Sequence, residues 1–309
     1  MANLSETQFA YLLLIPALLL LTVIALWPLL STFRMSLFAD SLTGQLGEFV
    51  AIENYVDILS GARRARLPAP FLPTGFSIGE LLKSSLTVTL IFTVVSVFFE
   101  TIIGFGQALV LNQDFRGRRW VRVAIIIPWA VPIVIQGMIF YLMFTPGIGL
   151  FVGQEANPTI LQEWGLIGFT PLANTVQSTA IVIIADIWKT TAFMALLILA
   201  GLQSIDRNLY EVARVSGASK WQQFKRITFP LVLPSVLIAM LFRTIQAMRV
   251  YGVINVVSGC DTVPSLSCSV ISTFNLGFLG SSATIAFITA TIIGLMTSAY
   301  IVLYARDMG

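Results

Sequence analysis

From Thr7 to Phe33 the chain runs without one charged side chain, and no other feature restricts its possible folds so strongly. A helix needs about 20 apolar residues to cross a hydrocarbon core, where no water is present to satisfy an open backbone N–H or C=O. Stretches of that length recur, and we place about six spans, at 10–32, 85–111, 122–144, 177–201, 231–257 and 283–304. Hydrophobic residues make up 57% of the chain and charged residues only 11%, with a mean hydropathy of +0.88; a soluble domain of this length would not show that balance. The expected fold is therefore all-α, a polytopic membrane protein with a single transmembrane domain over 1–309. The first span is too long for a signal peptide and lacks a small-residue cleavage site, so it reads as a retained helix.

Lys and Arg gather in the loops on the cytoplasmic side. Arg116, Arg118, Arg119 and Arg122 lie near 112–122, Arg207, Arg214, Lys220, Lys225 and Arg226 lie in 203–230, and Arg306 is at the tail. The loops 145–176 and 258–282 on the other face carry none. The first outer loop departs from the pattern with Arg34, Arg63, Arg64, Arg66 and Lys83, but long loops determine topology weakly. Both termini are expected in the cytoplasm. That outer loop, 36–83, holds aromatics and the run RLPAPFLPTG, which suggests a small ordered cap with a flexible excursion. Cys260 and Cys268, the only cysteines, share the last outer loop, where either a disulfide or two free thiols can exist.

Several chemistries are excluded by absence. Without any histidine there is no zinc-protease motif, no His-based triad and no expected metal site. GxxxxGK[ST] is also missing, and GASK at 217–220 is too short to replace it. No basic stripe with interleaved aromatics favours nucleic acid.

One segment does not suit a membrane span. LYEVARVSGASKWQQFKRITFPLVLP, 209–234, is amphipathic and charged. Asp206 can cap a helix that sets Leu209, Val212, Ala213 and Ser216 on one face and Glu211 and Arg214 on another. Gly217 can take the positive φ that ends it. A second helix, 219–228, would group Trp221, Phe224 and Ile227, with Pro230 closing it. On composition alone such a pair could simply lie at the headgroup interface.

The pattern Glu211, Val212, Ala213, Gly217, Ala218, Phe224, Ile227, Pro230 resembles the EAA loop of ABC-importer permeases, with Val212 and Ser216 standing where that family usually has Ala and Asp. WKTTAFMALLILAGLQSI (188–205) and FRTIQAMRVYGVINVVSG (242–259) resemble its carbohydrate branch, the maltose/trehalose type, over about residues 10 to 304. The resemblance implies that the loop 203–230 docks into a separate ATPase, with Glu211, Val212, Ala213, Arg214, Gly217, Ala218 and Phe224 forming the joint. It implies that Glu211 and Arg214 pair across that joint while the apolar face packs against the span ends. It further implies two ATPase subunits that bind ATP and Mg, a second permease that in this branch usually makes a heterodimer, with a homodimer as the alternative, an extracytoplasmic sugar-binding protein, and a place in the plasma membrane of a prokaryote. This chain itself would bind no cofactor and catalyse nothing.

Ionisable residues at membrane depth are costly and so are paired or functional. Glu100, Asp186, Lys189, Arg243, Gln246 and Arg249 are the polar candidates. Asp186 and Lys189 can neutralise each other on one helix, Gln246 and Arg249 share a helical spacing, and Glu100 can face a partner helix instead. Alignment with the maltose-importer permeases places sugar-contact positions on Asp186, Lys189, Thr190, Phe193, Phe242, Ile245, Gln246 and Arg249. The resemblance thus implies transport of a di- or oligosaccharide such as trehalose or a maltose-like α-glucoside. An importer of glycerol phosphate is the nearest alternative, because Arg243 and Arg249 could meet an anion. A proton-coupled carrier using Glu100 and Asp186 is a further one, and an intramembrane enzyme is disfavoured for want of a nucleophile with a base.

Overall fold

The computed structural model describes residues 5–62 and 67–308. Among these, helices dominate, in the order α1 Glu6–Leu21, a π turn Thr22–Leu26, α2 Trp27–Ser36, strands β1 Phe38–Asp40 and β2 Leu46–Phe49, then α3 Glu53–Ser60 and α4 Ile78–Leu81. Next come α5 Ser85–Asn112, α6 Arg118–Ala130, α7 Ile133–Met143, α8 Ile160–Glu163 and α9 Thr175–Gln203. The chain continues with α10 Arg207–Val215, α11 Lys220–Gln223, a π turn Phe224–Thr228, α12 Phe229–Ala247, α13 Gly252–Val257, α14 Leu266–Asn275 and α15 Leu279–Met308. The chain divides into two compact units, Met1–Leu67 with Val270–Ile288, and Pro68–Ser269 with Thr289–Gly309.

In the first unit α1, the π turn and α2 make one apolar rod, Thr7–Ser36, whose most apolar window is 0% buried within the chain. At its end Ser36 and Phe38 each offer a carbonyl to the buried Asn54 amide, both at 2.7 Å, which ties the β1–β2 hairpin to α3. Asp40 accepts from Ser281 N at 2.8 Å and Ser281 Oγ at 2.5 Å. These bonds order part of the cap expected over 36–83; of the run RLPAPFLPTG, Arg66 lies outside the described residues and Phe71 is buried.

The second unit is built on α5, α9 and α12. Phe92, Val182, Ala185, Ile254 and Val253 form its upper core, and Ala108, Ile198, Leu199 and Val232 a lower one. α5 and α9 approach closely because Gly104 lacks a side chain: a Cβ there would lie 2.8 Å from Met194 Cβ and 3.1 Å from Ala195 N, the small-residue contact that membrane helices use to pack. Cys260 and Cys268 are joined in a disulfide with Cα atoms 5.5 Å apart.

Three expectations need correction. The third span is not one helix over 122–144: α6 and α7 meet at 91°. Pro132 follows Val131, which is extended at φ −67°, ψ 128°, because a residue before proline avoids helical backbone. The fifth span ends at Ala247 rather than 257, so Arg249 lies in the turn beyond it. Pro230 does not close the helix that follows Gly217: Lys220–Ala247 is one continuous rod. The π turn allows this, since the Phe229 N–H reaches back five residues to Phe224 O, a register in which the missing N–H of Pro230 leaves the helix unbroken. Among the described residues five helices are long and apolar enough to cross a membrane, and the bent pair is a sixth crossing if it counts as one.

Candidate functional site

At membrane depth the second unit gathers its charges into one cluster drawn from three helices. Arg243 of α12 donates through Nε to Glu100 Oε2 at 2.5 Å and through Nη2 to Glu100 Oε1 at 2.8 Å. The same Nη2 reaches Asp186 Oδ2 of α9 at 2.7 Å, and Nη1 reaches Gln246 Oε1 at 3.2 Å. Thr190 adds its hydroxyl to Glu100 Oε1 at 2.6 Å. Glu100 is fully buried, the Arg243 side chain 3% exposed and that of Asp186 13% exposed. A buried ion pair repays its desolvation only with good geometry and full hydrogen bonding, and a bidentate guanidinium–carboxylate pair supplies both.

This arrangement revises the sequence reading. Glu100 does face partner helices, through Arg243 of α12 and Thr190 of α9, and is the hub of the cluster. Asp186 is ion-paired with Arg243, and Lys189 acts on it only through the charge between them. The Lys189 ammonium instead donates to the Trp129 carbonyl at 3.3 Å and to the Val131 carbonyl, the open carbonyls where α6 stops. A cation is favourable at such a terminus, so Lys189 secures the bend of the third span. Thr190 is 8% exposed and its hydroxyl is used inside the cluster. Gln246 and Phe242 are exposed, Phe193 and Ile245 half-buried. Arg249 is exposed and has no side-chain partner among the described residues; because the helix ends before it, it does not share the helical face of Gln246. The positions 242, 246 and 186 are thus brought together, while 189 and 190 are turned to structural partners. A lone acid in α5 and a lone arginine in α12 were the signal for the hub, but sequence spacing does not say which helices adjoin.

The loop 206–228 is built locally. Asp206 Oδ1 accepts from Asn208 N at 2.9 Å and caps α10. Gly217 sits at φ +78°, and Ser219 with Gln222 makes a reciprocal capping box. Tyr210 Oη and Thr228 Oγ1 are 2.9 Å apart, joining α10 to the base of α12. Phe224 stacks on Trp221 at 5.5 Å and meets Phe105 of α5 edge-on at 5.9 Å. Glu211 and Arg214 are both exposed. Of the face expected to pack against the span ends, Leu209 is 44% and Val212 66% exposed, and only Ala213 is half-buried. A nine-residue helix cannot turn the same face to the spans through Tyr210 and Ala213 and through Val212, which lies about 100° away from Ala213.

With these features in place, the comparisons with known proteins are specific. Residues 100–308 match the family described as binding-protein-dependent transport system inner membrane component. The chain is 35% identical to the trehalose/maltose transport system permease protein MalF of Thermococcus litoralis over 96% of this chain and 93% of that protein. It is 30% identical to the trehalose transport system permease protein SugA of Mycobacterium tuberculosis over 95% and 91%, and 35% identical to the sulfoquinovosyl glycerol transport system permease protein SmoG of Agrobacterium fabrum over 83% and 76%. Its fold is that of a chain in a bacterial ABC transporter involved in the import of the acidic polysaccharide alginate, with a TM-score of 0.69 at 20% identity over 96% of this chain and 94% of that chain. The chain belongs to the binding-protein-dependent family of ABC-importer permeases, as a multi-pass membrane subunit.

Proposed function

We propose that this permease imports an uncharged di- or oligosaccharide, such as trehalose or a maltose-like α-glucoside, by ATP-driven alternating access. The observation that carries this reading is the internal use of Arg243. Its guanidinium is held by Glu100 and Asp186, so it is not offered to a phosphate or sulfonate. What remains presented is the partly exposed Asp186 carboxylate, the Gln246 amide and the Phe242 ring, a set suited to hydroxyls and the apolar face of a sugar. The relatives named for trehalose and maltose, 30–35% identical over nearly the whole chain, point the same way.

The loop 206–228 is read as the contact with an ATPase subunit, which binds ATP and Mg, and its side of the membrane as cytoplasmic with both termini. Glu211, Val212, Arg214 and Gly217 form the exposed joint; Ala213, Ala218 and Phe224 seat it. Because Lys220–Ala247 is one rod, about 40 Å long at 1.5 Å per residue, a push at Trp221 moves Gln246. The Phe224–Phe105 contact passes the same push to α5, which carries Glu100. Two ATPases need two such loops, hence a second permease, which we take to be a different chain, and an extracytoplasmic binding protein delivers the sugar. A carrier that titrates Glu100 and Asp186 loses its footing here, since both acids already share Arg243 in a family served by binding proteins.

Arg249 favours a second reading, because its unpaired exposed guanidinium could meet an anion, and a relative 28% identical is named for sn-glycerol-3-phosphate. The test is to purify the intact assembly, trap it with a non-hydrolysable ATP analogue and measure retained radiolabel. Trehalose or maltose should be retained and glycerol 3-phosphate should not compete. Preferential retention of the phosphate would reverse the proposal in favour of Arg249.

A further inference from the structure

The geometry assigns Glu100 as a positioning residue for the sugar site: by gripping one edge of Arg243 it leaves Asp186 with a free acceptor oxygen and turns the Gln246 amide so that its NH2 faces outward. The assignment rests on the sugar-site reading proposed above. Arginine has donors only, in a rigid fork, and this fixes the orientation of everything it touches. Its Nη1 meets the Gln246 side-chain oxygen at 3.2 Å, so the NH2 of that exposed amide is the end left for a ligand. Its Nη2 takes Oδ2 of Asp186 at 2.7 Å, and Oδ1 has no partner among the described residues. One acceptor from α9 and one donor from α12 are thereby set side by side, the pair a sugar hydroxyl needs because it both donates and accepts.

Glu100 makes this division possible. A guanidinium facing a single carboxylate prefers a two-pronged fork, which in this cluster would consume both oxygens of Asp186. Glu100 occupies that fork instead, through Nε at 2.5 Å and Nη2 at 2.8 Å, and is itself braced by the Thr190 hydroxyl at 2.6 Å. It is fully buried, so it acts on the sugar only through Arg243.

The experiment uses the complete assembly trapped with a non-hydrolysable ATP analogue and radiolabelled maltose and trehalose as probes. Glu100→Gln should bind whichever sugar the parent retains about tenfold more weakly or worse, the size of effect that follows loss of a hydrogen bond to a charged group. Glu100→Asp, which keeps the charge, should recover most of the binding, and assembly yield is measured for every variant. Where Glu100→Gln does not assemble, the charge-neutral double variant Glu100→Gln with Arg243→Gln serves in its place, with the same weakening expected. Unchanged sugar retention in either assembled variant overturns the assignment. So does failure of both to assemble while Glu100→Asp behaves as the parent, which would mark the cluster as a structural brace only. Asp186→Asn separates the two readings: unchanged retention there removes the sugar site itself, whereas weakened retention there with unaffected Glu100→Gln removes only the positioning role.

Discussion

The cluster at Glu100, Asp186 and Arg243 and the loop 206–228 use the same kinds of side chain to opposite ends. In the cluster Glu100 and Arg243 are buried and paired within the chain, with the partly exposed Asp186 held at its edge; in the loop Glu211, Arg214, Lys220, Lys225 and Arg226 are all exposed. The difference follows from the medium. In hydrocarbon an unpaired ion costs so much that partners must be supplied internally, and what is left over is a small, oriented polar surface. In water the same charges cost little unpaired, so a loop can hold them ready for another protein, together with exposed Val212 and Val215.

The comparison breaks most sharply at Arg243. Arg243→Leu strands two buried carboxylates, and removal of one partner of a buried pair costs about 3–5 kcal/mol; little assembled protein should be recovered from membranes, as measured by size-exclusion yield. At the loop, the converse holds. Glu211→Lys should leave the yield intact yet abolish sugar uptake, and normal sugar-stimulated ATP hydrolysis in the reconstituted Glu211→Lys assembly would separate this loop from coupling.

Between these extremes stands Gln246, which borders the cluster but is exposed. Gln246→Ala removes one neutral hydrogen bond, worth about 0.5–1.5 kcal/mol net, and should weaken sugar retention about two- to twelvefold with normal assembly; an effect on yield alone would make it a helix joiner. Lys189 sharpens the comparison further, as a charge spent on backbone. Lys189→Met should lower thermal stability by about 0.3–1 kcal/mol, the worth of a cation at a helix terminus, and leave the preference between trehalose and glycerol 3-phosphate unchanged. A shift in that preference would return Lys189 to the sugar. The smallest effect belongs to Cys260 and Cys268: intact unreduced cells should show no labelling by a membrane-impermeant maleimide, and labelling of both would exclude the bridge.

Much of this was legible in the chain itself. The apolar runs located the membrane elements, because backbone groups in lipid have no partner outside their own helix. Asp206, Gly217 and Ser219 announced the ends of α10 and α11, since caps and positive φ are local properties that need no neighbour. The broken third span was also written there, in Pro128 and Pro132, whose restricted backbone outweighs the apolarity of the run.

The partners of the charges were decided only by the tertiary structure. Glu100 and Arg243 are 143 residues apart, and nothing in either helix names the other; the pairing exists because Gly104 lets α5 come close to α9 and α12 packs beside both. The same close approach took Asp186 away from Lys189, its neighbour in sequence, and gave Lys189 the open carbonyls of α6. Composition and periodicity describe one helix at a time, whereas the energy of a buried charge depends on what a second and third helix place within about 3 Å of it. That distance is a property of packing, and so the sequence alone determined a membrane permease with a charged, capped helical loop, while the fold determined which of its polar groups are paired within the chain.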